Sequence, residues 1–201
     1  MFIESLNEPA SDPILVYFNG GPGAPSIVGA FVGLGPFMAA DPNSNITLVP
    51  WNGSWCRNAS VLMIDNPAGV GFSYAQREID GLHNDVSYLN DILAFIKQFY
   101  THWPKLAQNP LYIAGISYGG VYAPHLTWGL HLHNQEVALN NSSESVPGHI
   151  NIKGFIVANG ATDYNTDPYI GSVDHAHGFN IIPISLYKNF TDNKCRYYWL
   201  P

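Results

Sequence analysis

Leu111-Tyr-Ile-Ala-Gly-Ile-Ser-Tyr-Gly119 is the stretch that decides the fold. Leu111 to Ala114 is an apolar run of strand length. Gly115-x-Ser117-x-Gly119 follows it, and Val121, Tyr122, His125, Leu126, Gly129 and Leu130 then recur at helical spacing. A serine between two glycines, after a strand and before a helix, projects its hydroxyl from a sharp turn whose backbone crowding the glycines relieve. A bare Gly-x-Ser-x-Gly would read as an ordinary serine in a Gly-rich turn. The flanking strand and helix make Ser117 a candidate nucleophile.

Two further apolar runs lie upstream, and each ends in a glycine-bearing loop. Ile14 to Phe18 reads as a strand buried on both faces and runs into Asn19-Gly-Gly-Pro-Gly23. Ser60 to Ile64 ends at Asp65-Asn-Pro67 and a second Gly-rich loop. Met1 to Glu4 is a candidate short strand, and Ser26 to Leu34 a candidate short helix. A helix is predicted from Asp85 to Tyr100, with Asn84 to cap it and Pro104 beyond its end. Residues 134–149 are polar and read as a surface excursion before a strand from Ile150 to Ala158. Strands alternating with helices predict an α/β fold with a mostly parallel central sheet flanked by helices.

Composition narrows the function classes. Only 11% of residues are charged, against roughly 25% in an average domain. With eight Lys and Arg and a net charge of −7, no basic face for nucleic acid can be assembled. No segment approaches the roughly 20 apolar residues of a membrane span. Cys56 and Cys195 are too few for a disulfide framework, and pair either with each other or with residues outside this chain. His131/His133 and His175/His177 lack metal-ligand company and read as solvated helix and loop residues, so neither a metal nor a cofactor is expected. Sequons at Asn45, Asn52, Asn58, Asn140, Asn141 and Asn189 favour a secretory-pathway glycoprotein, although Met1 to Ser5 does not open a signal peptide.

An acyl-transfer serine needs N–H donors aimed at the developing oxyanion. Tyr118, directly after the nucleophile, supplies one. Gly21, in an earlier strand-end loop, is the natural second because glycine lets a substrate approach the backbone.

Asn19-Gly-Gly-Pro-Gly23, Asp65-Asn-Pro-Ala-Gly-Val-Gly-Phe-Ser-Tyr74, Gly115-Ile-Ser-Tyr-Gly-Gly-Val-Tyr-Ala-Pro124 and Ile152-Lys-Gly-Phe-Ile-Val-Ala-Asn-Gly160 together resemble, in order and spacing, the serine carboxypeptidases of α/β-hydrolase fold. The resemblance implies that Ser117 is the nucleophile, that Gly21 and Tyr118 form the oxyanion hole, and that Asn19 and Gly20 bind the terminal carboxylate of a peptide substrate. It also implies a core over residues 1–162, the start of a lid over 163–201, and a secreted, vacuolar or lysosomal setting. By the same resemblance Met1 falls within a family strand, so an earlier strand and a signal peptide are expected to be missing. The partner Asp and His of the triad are expected well past the nucleophile, and Asp163, Asp167, Asp174, His175 and His177 come too early to be them. Three positions depart from the family pattern. Ile116 and Gly33 stand where a carboxylate-recognising Glu is usual, and Ala24 stands for a Cys. An acyltransferase or esterase, or an inactive homologue, is the alternative to a peptidase.

Overall fold

The computed structural model describes residues 1–40, 47–77, 82–140, 148–163, 168–193 and 195. Seven strands are described: β1 (Phe2–Ile3), β2 (Ile14–Phe18), β3 (Phe37–Ala40), β4 (Thr47–Pro50), β5 (Ser60–Met63), β6 (Leu111–Ile116) and β7 (Ile152–Ala158). Four α-helices accompany them: α1 (Ser87–His102), α2 (Gly119–Asn140), α3 (Pro168–Gly178) and α4 (Ile184–Asp192). The chain divides into two compact units, Met1–Gly160 and Ala161–Pro201.

In the first unit five strands form one sheet in the order β1-β5-β2-β6-β7. β5, β2, β6 and β7 run parallel, and only β1 is antiparallel, pairing with β5. The expected mostly parallel sheet is present. From β2 the chain moves outward to β5, then returns across the sheet to β6 and continues to β7. Connections from β2 and β6 therefore leave in opposite directions, which makes the space above their C-terminal ends a topological switch point. That is where open α/β sheets place their ligand crevice.

The apolar runs form the centre. Ile14, Val16, Phe18 and Ile113 are fully buried, packed with Ile92 and Ile96 of α1 and Leu126 and Leu130 of α2. Each such side chain contributes about 1.5–3 kcal/mol relative to an exposed one. On the opposite face a smaller cluster gathers Tyr17, Ala30, Cys56, Val61, Met63 and Ala114. Val86, not the expected Asn84, occupies the cap position of α1, while Asn84 Oδ1 accepts from Ser87 N, the first residue of the helix, at 2.9 Å. Ser26–Phe31 forms a 3-10 helix, a shorter piece than the helix expected to Leu34.

Three sequence expectations change. The polar stretch expected to begin a surface excursion at 134 instead continues α2 to Asn140; residues 141–147 lie outside the described residues. Asn134 then brackets the next strand, accepting from Ile150 N at 2.8 Å and donating to Ile150 O at 2.7 Å. His133 is buried, not solvated: it follows Tyr122, Leu126 and Leu130 on the row of α2 that faces the sheet. The β3–β4 hairpin was not expected at all.

The second unit is a helix pair. Tyr187 of α4 donates its hydroxyl to Asp174 Oδ1 of α3 at 2.8 Å, and its ring stacks on His177 with centroids 4.1 Å apart. Asp174 and His177 are thus tied up within this pair, while Asp167 lies outside the described residues.

Candidate active site

Ser117 follows the last residue of β6 and has φ +57, a left-handed conformation that costs a non-glycine residue about 1–3 kcal/mol. Three contacts hold the backbone there. Its N–H donates to Ala158 O of β7 at 3.2 Å, and its carbonyl accepts from Gly120 N at 2.9 Å. The third is the close passage of Gly115 against Gly119, where a Cβ on Gly115 would overlap the Gly119 carbonyl. A Cβ on Gly119 would in turn lie 2.9 Å from Phe18 O, so the turn sits directly against the end of β2. The Ser117 side chain is exposed at this tip. Among the described residues its hydroxyl has no hydrogen-bonding side chain, so no general base is in place there.

The loop after β2 lies in front of it. A Cβ on Gly20 would come 2.5 Å from Ser117 Cβ, 2.8 Å from Ser117 Oγ and 2.9 Å from Tyr118 N. Any other residue at this position would collide with the serine. Gly20 N donates to Asn19 Oδ1 at 3.0 Å, and Gly20 O accepts from Ala24 N at 3.0 Å. Asn19 Nδ2 donates to Pro25 O at 3.3 Å, and Asn19 N to Ser26 Oγ at 3.0 Å. The loop is thereby a closed hydrogen-bonded cage. Gly21 holds φ +111, and its N–H has no acceptor among the described residues. The two glycines differ in duty: Gly20 clears space for the serine, and Gly21 presents an uncommitted N–H.

Tyr118 is fixed from the other side. Its ring packs edge-on to Tyr122 at 5.2 Å, and its hydroxyl donates to Asp85 Oδ1 at 3.1 Å, ahead of α1. Sequence reasoning assigned no role to Asp85, nor to Asp65, although Asp65 opens one of the quoted motifs. Asp65 is buried, with Oδ1 accepting from Ile27 N and Oδ2 from Phe72 N, each at 3.0 Å.

Ile116 is 37% exposed beside Ser117. Gly33 has φ +122 and accepts the Trp51 indole N–H at 3.0 Å, so a side chain there would strain the backbone. Both cysteines are free thiols. Asn52, Asn58 and Asn189 are exposed; Asn45 and Asn141 lie outside the described residues, and Asn140 ends α2. An open groove of about 550 Å³ between α2 and β7 is lined by Trp128, His131 and Phe155, and Ser117 is not among its lining residues. Among the described residues there is no cluster of side chains suited to a metal ion, and no helix is long and apolar enough to cross a membrane.

Comparison with known proteins gives one consistent answer. The serine carboxypeptidase family model matches residues 1–199. Serine carboxypeptidase-like 20 of Arabidopsis thaliana is 35% identical over 193 residues, covering 94% of this chain and 37% of the relative. Serine carboxypeptidase S10 family member 1 of Dictyostelium discoideum is 36% identical over 184 residues, covering 89% of this chain and 40% of the relative. A crystal structure of a prohormone-processing carboxypeptidase from Saccharomyces cerevisiae superposes with a TM-score of 0.72 at 25% identity, over 94% of this chain and 39% of that one. This chain therefore spans about two fifths of the proteins it matches. With the parallel sheet, flanking helices and serine-bearing turn, these matches place the chain in the serine carboxypeptidase family, on an α/β-hydrolase fold.

Proposed function

We propose that the complete protein is a serine-type carboxypeptidase that releases C-terminal residues from peptides through an acyl-enzyme on Ser117. The observation that carries this reading is the exposed Ser117 hydroxyl, held at φ +57 above the β2–β6 switch point with Gly20 pressed against it. In the reaction Ser117 Oγ attacks the scissile carbonyl carbon while a histidine from outside the described residues accepts its proton. The carbonyl oxygen gains negative charge and takes hydrogen bonds from Gly21 N–H and Tyr118 N–H. Collapse of the tetrahedral species breaks the C–N bond, the histidine returns the proton to the leaving amine, and water repeats the sequence to free Ser117. Asn19 contacts the terminal carboxylate through the Nδ2 hydrogen not given to Pro25 O, and Gly20, whose N–H is held by Asn19 Oδ1, lines the same spot without donating. The second unit begins a lid, and the exposed Asn52, Asn58 and Asn189 suit a glycoprotein of the secretory pathway, secreted or vacuolar/lysosomal.

One observation favours a second reading, an acyltransferase or esterase on the same scaffold. Ile116 offers a free C-terminus no hydrogen bond, and Gly33 sits in a backbone conformation closed to a glutamate. Losing hydrogen bonds to a charged group costs about 1.5–3 kcal/mol each.

The test uses the full-length protein with a fluorophosphonate probe and matched peptide acids, amides and esters. Ser117 is expected to be the labelled residue, and Ser117→Ala is expected to lower turnover by about 10⁴-fold or more. Preference for the free acid supports the peptidase; preference for the ester supports the second reading. Absence of labelling and of turnover would leave an inactive homologue.

A further inference from the structure

Asp65 is a buried carboxylate that the chemistry above does not use. It follows β5, beside the C-terminal end of β2, and its two oxygens serve different loops. Oδ1 accepts from Ile27 N at 3.0 Å, in the first turn of the 3-10 helix that continues from the Asn19–Gly23 loop. Oδ2 accepts from Phe72 N at 3.0 Å, in the loop that follows β5. That second loop is folded back onto the aspartate, since Ser73 Oγ donates to Asp65 O at 2.6 Å. A Cβ on Gly71 would overlap Asp65 Oδ2, so the fit leaves no slack on this side. Hydrogen bonds to an ionised acceptor are about twice as strong as neutral ones, and burial removes the competing water.

From Ile27 the connection to Ser117 is short and made of direct contacts. Ser26, next to Ile27, accepts from Asn19 N; Asn19 Oδ1 accepts from Gly20 N; and Gly20 lies against Ser117. The cage formed by residues 19–26 is internally bonded, and Asp65 is its tie to the neighbouring loop. Within that cage the Gly21 N–H has no acceptor among the described residues. An oxyanion donor works only if it is already aimed before charge develops, and a displacement of about 1 Å is enough to lose much of the effect.

We infer that Asp65 is a positioning residue, which fixes the Asn19–Ile27 loop and so aims the Gly21 N–H at the oxyanion. The inference rests on the reading of Ser117 and Gly21 given above. It assigns Asp65 no contact with substrate, so its effect falls on kcat and not on KM.

The experiment compares full-length wild type with Asp65→Asn, Gly71→Ala and Ser73→Ala. Asp65→Asn keeps the size but can accept at only one of its two ends. Gly71→Ala leaves the charge and pushes Oδ2 aside, which covers the case in which the first variant does not fold. Ser73→Ala loosens the same loop without touching the Ile27 contact. Fluorophosphonate labelling of Ser117 and kcat for an ester are expected to fall about 10- to 100-fold in the first two, with KM changed less than about 3-fold, while Ser73→Ala stays within about 3-fold of wild type on both. Amide hydrogen exchange across residues 19–27 is expected to accelerate in the first two variants only. Wild-type labelling rates in Asp65→Asn and Gly71→Ala, or an equal fall in Ser73→Ala, overturn the inference. So does unchanged exchange in residues 19–27, a result readable even if wild type itself is not labelled, the outcome that would sink the reading of Ser117 instead.

Discussion

β6 and β7 are parallel neighbours, both apolar, and after a register shift at Leu111/Tyr112 they pair with Ile113 opposite Phe155 and Ala114 opposite Ile156. Their burial is nonetheless opposite. Ile113 and Ala114 are 0% and 1% exposed, whereas Phe155 and Ile156 are 52% and 47% exposed. β6 has a strand on each side, α1 and α2 over one face and the Cys56 cluster over the other. β7 has β6 on one side, and among the described residues no strand on the other. Hydrophobic content alone makes a strand; its place in the sheet decides whether the content is spent on packing. An exposed apolar edge is what natural sheets normally cover, charge or shorten. A positive-φ residue follows each strand, Ser117 at φ 57 and Asn159 at φ 46, but only the buried strand carries a serine at that tip. A reactive hydroxyl must be held within a fraction of an ångström, and a strand locked on both edges and both faces can do that.

The largest expected difference between the strands lies in their large side chains. Ile113→Ala leaves a cavity in the main core and is expected to cost about 2–5 kcal/mol. Phe155→Ala removes a ring already half in water and should cost less than about 1 kcal/mol, measured by urea unfolding of both variants. Equal losses would break the comparison, since they would mean that a further element of the protein packs over β7.

Glycine positions give a second contrast. Gly115→Ala would drive a methyl into the Gly119 carbonyl. Overpacking of this kind costs about 1–3 kcal/mol, and here it also displaces the Ser117 turn. Gly154→Ala meets nothing within 4 Å, so it should be neutral or stabilise by about 0.4–1 kcal/mol through the unfolded chain. Thermal melting of the pair checks both signs, and a destabilised Gly154→Ala would show that the outer side of β7 is occupied.

This contrast also explains what the sequence could and could not disclose. Ile14–Phe18 and Leu111–Ala114 announce themselves as strands because burial on both faces demands continuous apolar runs. The serine turn is equally legible, since its glycines answer to a local crowding. The β3–β4 hairpin is not: Phe-Met-Ala-Ala and Thr-Leu-Val-Pro show no alternation, and half or more of each strand is exposed. α2 runs past its apolar stripe into Asn134-Gln-Glu136, whose polarity resembles a loop although the backbone stays helical. His133 could have been placed from its spacing, three residues beyond Leu130 on the buried row. The separate duties of Gly20 and Gly21, and the hold of Asp65 on Ile27, arise from contacts between β2, β5 and β6. Those contacts join positions 38 or more residues apart, and neither local pattern nor composition encodes them.

The smallest effect expected concerns the cover over the second face of β6. Ala114 packs there with Cys56, which is fully buried and donates its thiol towards Leu34 O at 3.9 Å. Burial raises the Cys56 pKa, and the Ser54 and backbone hydrogen bonds offset this only in part. Burial likewise raises the pKa values of Tyr17 and Tyr100. A thiol whose folded pKa lies above its unfolded value of about 8.5 stays protonated in the native state while the unfolded chain ionises. Its contribution to stability is therefore complete below about pH 8.5 and is lost as pH rises towards the folded value. The tyrosines have the same sign but enter only above about pH 10. Between pH 8 and 9.5 the loss is at most about 1.4 kcal/mol, and it should disappear in Cys56→Ala, which lacks the titrating group. Urea midpoints of the two proteins across that range provide the measurement. Parallel declines in both would show that the thiol is not excluded from water, and that the cover over Ala114 is no tighter than the open face over Ile156.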